Sequence, residues 1–168
     1  LILTGVNNEI YKHLKDILRP IGLLKLKKID NKSFSIEKVK NGCLNLKITT
    51  KEYPGFPTDL QAQLTSALLK IQGLNEINEK IFENRFMHIS ELRRMGAKIK
   101  KKGSKVEISG VKEIYGAELM ATDLRASSCL IIAGLMAKGK TIINRVYHLD
   151  RGYENIEKKL KACGAKIN

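Results

Sequence analysis

"TDLQAQLTSALLKI" (58–71) has a counterpart in "TDLRASSCLIIAGLMA" (122–137). Each opens on Thr-Asp-Leu, places an Ala two residues on, and then turns apolar. The correspondence continues in order: Asp59 with Asp123, Gly73 with Gly139, Ile77 with Ile143, Arg85 with Arg151, and "GAKI" (96–99) with "GAKI" (164–167). The offset drifts only from 64 to 68 residues, as short loop insertions would make it. "YKHLKDILRPIGLLKL" (11–26) resembles the later helix-Gly-strand passages and belongs to a partial third copy at the start. Such self-similarity marks a repeated supersecondary unit that buries its apolar face against its neighbours.

One unit reads as β-α-β-α-β-β. "LNLKITT" (44–50) and "GAELMAT" (116–122) are strands. In the helix after the first, Leu60, Leu64, Leu68 and Ile71 fall at helical spacing. Gly73 and Gly139 stand as C-terminal stops. A strand comes next ("NEINEKIF", 75–82; "TIINRVY", 141–147), then a second helix carrying Ile89, Leu92 and Met95, or Ile156, Leu160 and Cys163. Another Gly leads into a strand, which "KIKKKGSKVEIS" (98–109) folds back as a hairpin in the complete copy. The helix over 123–137 is apolar on nearly every face and is expected to be enclosed. "KVEIS" (105–109) alternates Val106 and Ile108 inward with Lys105 and Glu107 outward, so its sheet has one wet face. The expected fold is α/β (α+β) with helices inside and sheets outside, the reverse of a doubly wound sheet. Residues 1–168 are read as one domain: a partial first unit (1–43), a second (44–111) and a truncated third (112–168).

A chain of 168 residues can bury one respectable core. Its formal charge of +14 raises nucleic-acid binding as a reading. The lysines are spread over solvent-facing positions, however, and 5% aromatic content offers no stacking platform. A basic nucleic-acid-binding module is therefore kept only as the alternative. The longest apolar run, "LIIAGLMA" (130–137), falls far short of the roughly 20 residues a membrane span needs. The chain opens on "LILTGV", with no Met and no charged leader, which reads as an interior strand of a longer protein. Cys43, Cys129 and Cys163 form no C-x-x-C, and the latter two lie on apolar helical faces. Buried, reduced thiols and a cytoplasmic location are the expectation. His13, His88 and His148 have no metal-ligand spacing, so neither a metal nor a cofactor is expected.

Thr58 and Thr122 are expected N-caps, with Thr58 and Gln61 at capping-box spacing. Asp59 and Asp123 then fall at the first helical position, where the helix dipole favours a carboxylate. An Asp there is ordinarily only a stabilising charge. The repeat shifts that reading, because Asp59, Arg85, Asp123, Arg125 and Arg151 all fall between a strand and a helix. Approximate symmetry gathers such junctions at one end, a rim suited to phosphate or carboxylate groups. Ile81 and Phe82 lie at a strand end beside Arg85, either as core residues or as a flat apolar wall for a base or sugar.

The words "YPGFPTDLQAQ" (53–63), "IFENRFMH" (81–88), "ELRRMGA" (91–97), "ATDLRAS" (121–127) and "YHLDRGYE" (147–154) carry a further signal. From about residue 53 onward the chain closely resembles the C-terminal part of the UDP-N-acetylglucosamine 1-carboxyvinyltransferases. These enolpyruvyl transferases begin bacterial peptidoglycan precursor synthesis. Residues 1–50 match in pattern more than in letters. The related shikimate-pathway enolpyruvyl transferases share the architecture, but "FENRF" and "YHLDRGYE" look like the nucleotide-sugar enzymes.

The resemblance implies an inside-out α/β barrel of the enolpyruvyl transferase type. It also implies an addition–elimination: a sugar 3-hydroxyl adds to C2 of phosphoenolpyruvate, C3 takes up a proton, and phosphate leaves. By that resemblance Asp59 is the catalytic residue that contacts the sugar hydroxyl as its base. Arg151 binds the phosphoenolpyruvate phosphate, Arg85 and Arg125 line the cleft, Asp123 helps set the active-site loop, and Ile81 and Phe82 touch the nucleotide. A helix N-terminus lowers an Asp pKa and so weakens it as a base, which desolvation on closure would have to oppose. The family's proton-donating loop, with its Cys or Asp, belongs to a portion preceding these residues. The expected partners are UDP-N-acetylglucosamine, phosphoenolpyruvate and that missing half, without which the chain is expected to be inactive or nearly so.

Overall fold

The computed structural model describes residues 1–22, 24–39 and 45–168, so Cys43 and Leu44 lie outside it. The first unit runs β1 (Ile2–Thr4), α1 (Asn8–Leu18), a 3-10 turn over Arg19–Ile21, β2 (Leu24–Lys28) and β3 (Ser33–Lys38). Asn7 starts α1 by accepting the Ile10 amide at 2.8 Å. The second runs β4 (Lys47–Thr49), a 3-10 turn over Thr58–Leu60, α2 (Gln61–Leu68), β5 (Leu74–Asn78), α3 (His88–Arg94), β6 (Lys98–Lys102) and β7 (Lys105–Ser109). The third runs β8 (Glu118–Met120), α4 (Leu124–Met136), β9 (Ile142–Asn144), a short α5 (Tyr147–Asp150) and α6 (Ile156–Ala162).

The repeat is visible in the hydrogen-bonded order of the strands. β4 and β5 pair in parallel with Ile48 opposite Ile77, and β8 and β9 do the same with Leu119 opposite Ile143. The order β5-β7-β6 in the second unit is matched by β1-β3-β2 in the first. The partial copy is thus the second half of a unit, β-α-β-β. Gly96 and Gly164, the heads of the two "GAKI" words, both sit at positive φ, 91° and 92°, where a side chain would be strained.

Helices occupy the middle. α2 packs on α4, and each presents small residues at the crossing. The buried Ser66 hydroxyl donates to the Cys129 carbonyl at 2.7 Å, an approach that larger side chains would block. Leu68, Leu92, Leu119 and Leu130 are fully enclosed around this pair, and Ile77, Val106 and Ile108 point into the same core from the sheet. Lys98, Lys100, Lys102 and Lys105 are exposed; Lys101, on the Ile99 face of the hairpin, carries its ammonium over the Phe86 ring at 5.6 Å.

Several expectations are corrected. The strands are shorter than their apolar words, and β5 ends at Asn78, so Ile81 and Phe82 sit in the bend beyond it rather than in the strand. Tyr147 belongs to α5, not to a strand. The second "GAKI" forms no strand. Its counterpart β6 is held by hairpin partner β7, and no such partner follows residue 164 among those described. α6 buries none of its residues, and Cys163 is exposed instead of buried. α4 is buried from Ala126 to Ile131, but Leu135 opens onto a groove of about 790 Å³. Apolar residues of α1, α2 and α4, among them Leu18, Leu64 and Ile132, line it. No helix among the described residues is long and apolar enough to cross a membrane.

Candidate active site

Asp59 lies in the 3-10 turn that leads into α2, and Arg125 lies in the first turn of α4. Because the two helices pack side by side, their N-termini meet. Arg125 grips one oxygen of Asp59, Oδ1, with Nε at 2.7 Å and Nη2 at 2.6 Å. Arg85 arrives from the loop after β5 and puts Nη1 on the same Oδ1 at 3.1 Å. Oδ2 has no hydrogen-bond partner among the described residues, and the Asp59 side chain is 65% exposed. The cluster is therefore an acid held by two guanidiniums with one face open.

The Arg125 hydrogen bond is the main cause that holds the Asp59 carboxyl below its ordinary range. Partial burial opposes it, while the charges of Arg125 and Arg85 add to it. The expected weakening of Asp59 as a base therefore comes from the arginines more than from a helix dipole.

The two repeated Thr-Asp pairs are not used alike. Asp123, not Thr122, caps α4: its backbone is extended and its Oδ1 accepts the Arg125 and Ala126 amides at 2.8 and 3.0 Å. Thr58 caps nothing. Its hydroxyl instead donates to Glu79 Oε2 at 2.8 Å and accepts Arg85 Nη1 at 2.8 Å. One Asp is thereby committed to the backbone, and the other is left facing outward.

Around the cluster lies a cleft of about 210 Å³ lined by Gln61, Arg85, His88, Asp123 and Arg125. His88 is buried, and its Nε2 has no hydrogen-bond partner. Burial pushes its pKa down to about 4, against the attraction of Asp123. Phe82, 51% exposed, stacks under the Arg85 guanidinium at 3.9 Å. With Ile81 it forms a wall of a neighbouring cavity of about 740 Å³, so neither is a core residue. Arg151 follows α5, is exposed, and makes no ion pair among the described residues. Its neighbour Gly152 packs on Leu124 at the start of α4, and Tyr153 accepts a hydrogen bond from Gln63 at 3.3 Å. Arg151 thus lies at the same end of the helix pair as Asp59, outside the ion-paired cluster. No group of three or more His, Cys, Asp or Glu is placed to hold a metal among the described residues.

The family model for EPSP synthase (3-phosphoshikimate 1-carboxyvinyltransferase) matches residues 2–160. The chain belongs to this family. A UDP-N-acetylglucosamine 1-carboxyvinyltransferase of Pelagibacter ubique is 53% identical over 168 residues, which are 99% of this chain and 39% of that protein. One from Campylobacter lari is 59% identical over 122 residues, 73% of this chain and 29% of that protein. The enolpyruvyl transferase NikO from Streptomyces tendae superposes on 100% of this chain and 39% of its own, with a TM-score of 0.86 at 24% identity, a likeness of fold. This member of the EPSP synthase family spans about two fifths of the length of the first of these relatives.

Sequence reasoning missed Glu79, Thr50 and His88. Glu79 stands in "NEINEKIF", where alternation puts it on the face of Ile77 and Ile81, a signal the reading passed over, and it is 2% exposed. β5 stops at Asn78, and Glu79 keeps the inward direction of Ile77 two residues before it.

Proposed function

We propose that the chain is the part of an enolpyruvyl transferase that carries the acid–arginine rim. On this reading the complete protein moves the enolpyruvyl group of phosphoenolpyruvate to the 3-hydroxyl of UDP-N-acetylglucosamine and releases phosphate, in the cytoplasm. The observation that carries it is the meeting of Arg85 and Arg125 on a single oxygen of Asp59, with Oδ2 left open.

That arrangement suits an anion-coupled base. Before substrate arrives, the arginines keep Asp59 ionised and occupied. Anionic phosphate or carboxylate groups in the cleft compete for the same guanidiniums, and every guanidinium that turns from Asp59 to the anion raises the basicity of the carboxylate. Oδ2 then accepts the proton of the attacking hydroxyl as oxygen bonds to C2 of phosphoenolpyruvate. C3 takes a proton from a donor outside these residues. Its later loss accompanies cleavage of the C2–O bond to phosphate, so an enol ether and inorganic phosphate result. Arg151 supplies a further cation for the phosphate, Asp123 fixes the first turn that carries Arg125, and the Ile81–Phe82 wall offers an apolar face to the nucleotide. The three units form one domain, and the groove beside α2 and α4 receives a helix from the rest of the protein.

The test is Asp59→Asn in the complete protein, read as phosphate released from phosphoenolpyruvate in the presence of UDP-N-acetylglucosamine. A fall of about 10²-fold or more in kcat is expected of a lost general base. Turnover within a few-fold of wild type refutes the assigned role.

A further inference from the structure

Glu79 is buried at the point where β5 leaves its sheet, beside a site otherwise made of partly exposed charges. A carboxylate removed from water is costly unless donors surround it. Four do so here. The Thr50 hydroxyl donates to Oε1 at 2.8 Å, and the amides of Ile81 and Phe82 donate to the same oxygen at 2.8 and 3.2 Å. Oε2 takes the Thr58 hydroxyl at 2.8 Å. Thr50 in turn accepts the Lys80 amide at 2.9 Å, so the bend after β5 is tied down at three consecutive amides. Beyond Thr58 the hydrogen bonds pass to Arg85 Nη1 at 2.8 Å and from there to Asp59 at 3.1 Å.

We propose that Glu79 is the positioning residue of this site: it fixes the Ile81–Phe82 wall through backbone amides and aims Arg85 at Asp59 through the Thr58 hydroxyl. The reason lies in the single proton of that hydroxyl. By giving it to Glu79, Thr58 turns its lone pairs toward Arg85, which has only donors to offer. Direction thus passes from a buried anion to a surface guanidinium without the two touching. Glu79→Gln keeps the volume and the oxygen that holds the two amides. It places an NH2 group where Oε2 stood, and that group competes with Arg85 for the lone pairs of Thr58. The wall survives this change, and the aim of Arg85 does not.

The kinetic part of the test rests on the enolpyruvyl-transfer reading; the spectroscopic part does not. In the complete protein, Glu79→Gln, Thr58→Val and Thr58→Ser are compared with wild type. Two readouts are taken: kcat and KM for each substrate, and the Nε–Hε resonance of Arg85 in nitrogen-15 NMR, assigned by its loss in Arg85→Lys. Glu79→Gln and Thr58→Val are each expected to lower kcat/KM about tenfold or more, as misaligned site groups do. Thr58→Ser, which keeps the hydroxyl, recovers most of the loss. The Arg85 resonance shifts or broadens in the first two variants and stays sharp in the third. An Arg85 resonance unchanged in both Glu79→Gln and Thr58→Val overturns the proposal whatever the kinetics do. If wild type releases no phosphate from phosphoenolpyruvate, the functional reading has failed, and the resonance alone decides the positioning claim. Should Glu79→Gln fail to fold, Thr58→Val leaves the carboxylate and the bend in place and carries the test.

Discussion

Asp59 and His88 both have lowered pKa values, for different reasons: guanidiniums hold Asp59, and burial acts on His88. For Asp59 the Arg125 hydrogen bond is the larger cause of its lowered pKa. Removing it in Arg125→Ala is expected to move the acid limb of kcat/KM to higher pH, since that limb reports ionisations of the free enzyme. An unmoved limb would separate Asp59 from the rate. His88 is a stability matter. Its imidazole titrates from an ordinary 6.5 when unfolded and from about 4 when folded. Between those values the unfolded chain binds the extra proton, so stability rises with pH across the window and is lost as pH falls. The full effect is about 3 kcal/mol. Urea denaturation at several pH values checks this, and His88→Gln flattens that part of the profile. The reactivity of Cys129 is settled by burial, which pushes its thiol up to about 12; among the described cysteines only Cys163 is expected to react with a thiol reagent in the native state.

The helices were far more legible than the loops. The spacing of Leu64 and Leu68 and the apolar breadth of 123–137 located α2 and α4, because burial on a helix leaves a countable period, while Leu60 falls in the turn before α2 and is exposed. The alternation in "KVEIS" placed β7 and its two faces for the same reason. What failed were ends. Asp123 rather than Thr122 caps α4, and β5 ends one residue before Glu79, which takes four donors. The cap is a local choice between two adjacent capping residues, and the strand's end joins two local amides to hydroxyls from distant segments. The gathering of charges at one rim was therefore readable, while its wiring was not: Asp59, Arg85 and Arg125 meet, Arg151 stands apart, and Asp123 serves the backbone. Elements also meet through Gly110, where an added Cβ would overlap the Ile71 carbonyl of the backbone. Gly110→Ala must push β7 from the end of α2 and is expected to cost about 1–3 kcal/mol, the usual range for overpacking. An unchanged urea midpoint would show that the junction yields freely.

At the scale of the molecule, the units differ in what they bury. The second buries most of α2 and one face of α3, whereas the third buries no residue of α6 and the first supplies only a β-α-β-β half. Repetition would place one more inner helix beside α2 and α4, where the apolar groove of about 790 Å³ lies. A hydrophobic dye is expected to light up with this chain alone and to stay dark with the complete protein; equal signals would mean that the groove is open in both. The claim on which the account turns is that the rim made where α2 meets α4 performs enolpyruvyl transfer to a nucleotide sugar. Its most direct measurement is phosphate release from phosphoenolpyruvate by the complete protein, with UDP-N-acetylglucosamine or shikimate 3-phosphate as the acceptor offered. Release with the nucleotide sugar, and none with shikimate 3-phosphate, is the predicted result; release with shikimate 3-phosphate alone, or with neither, contradicts it.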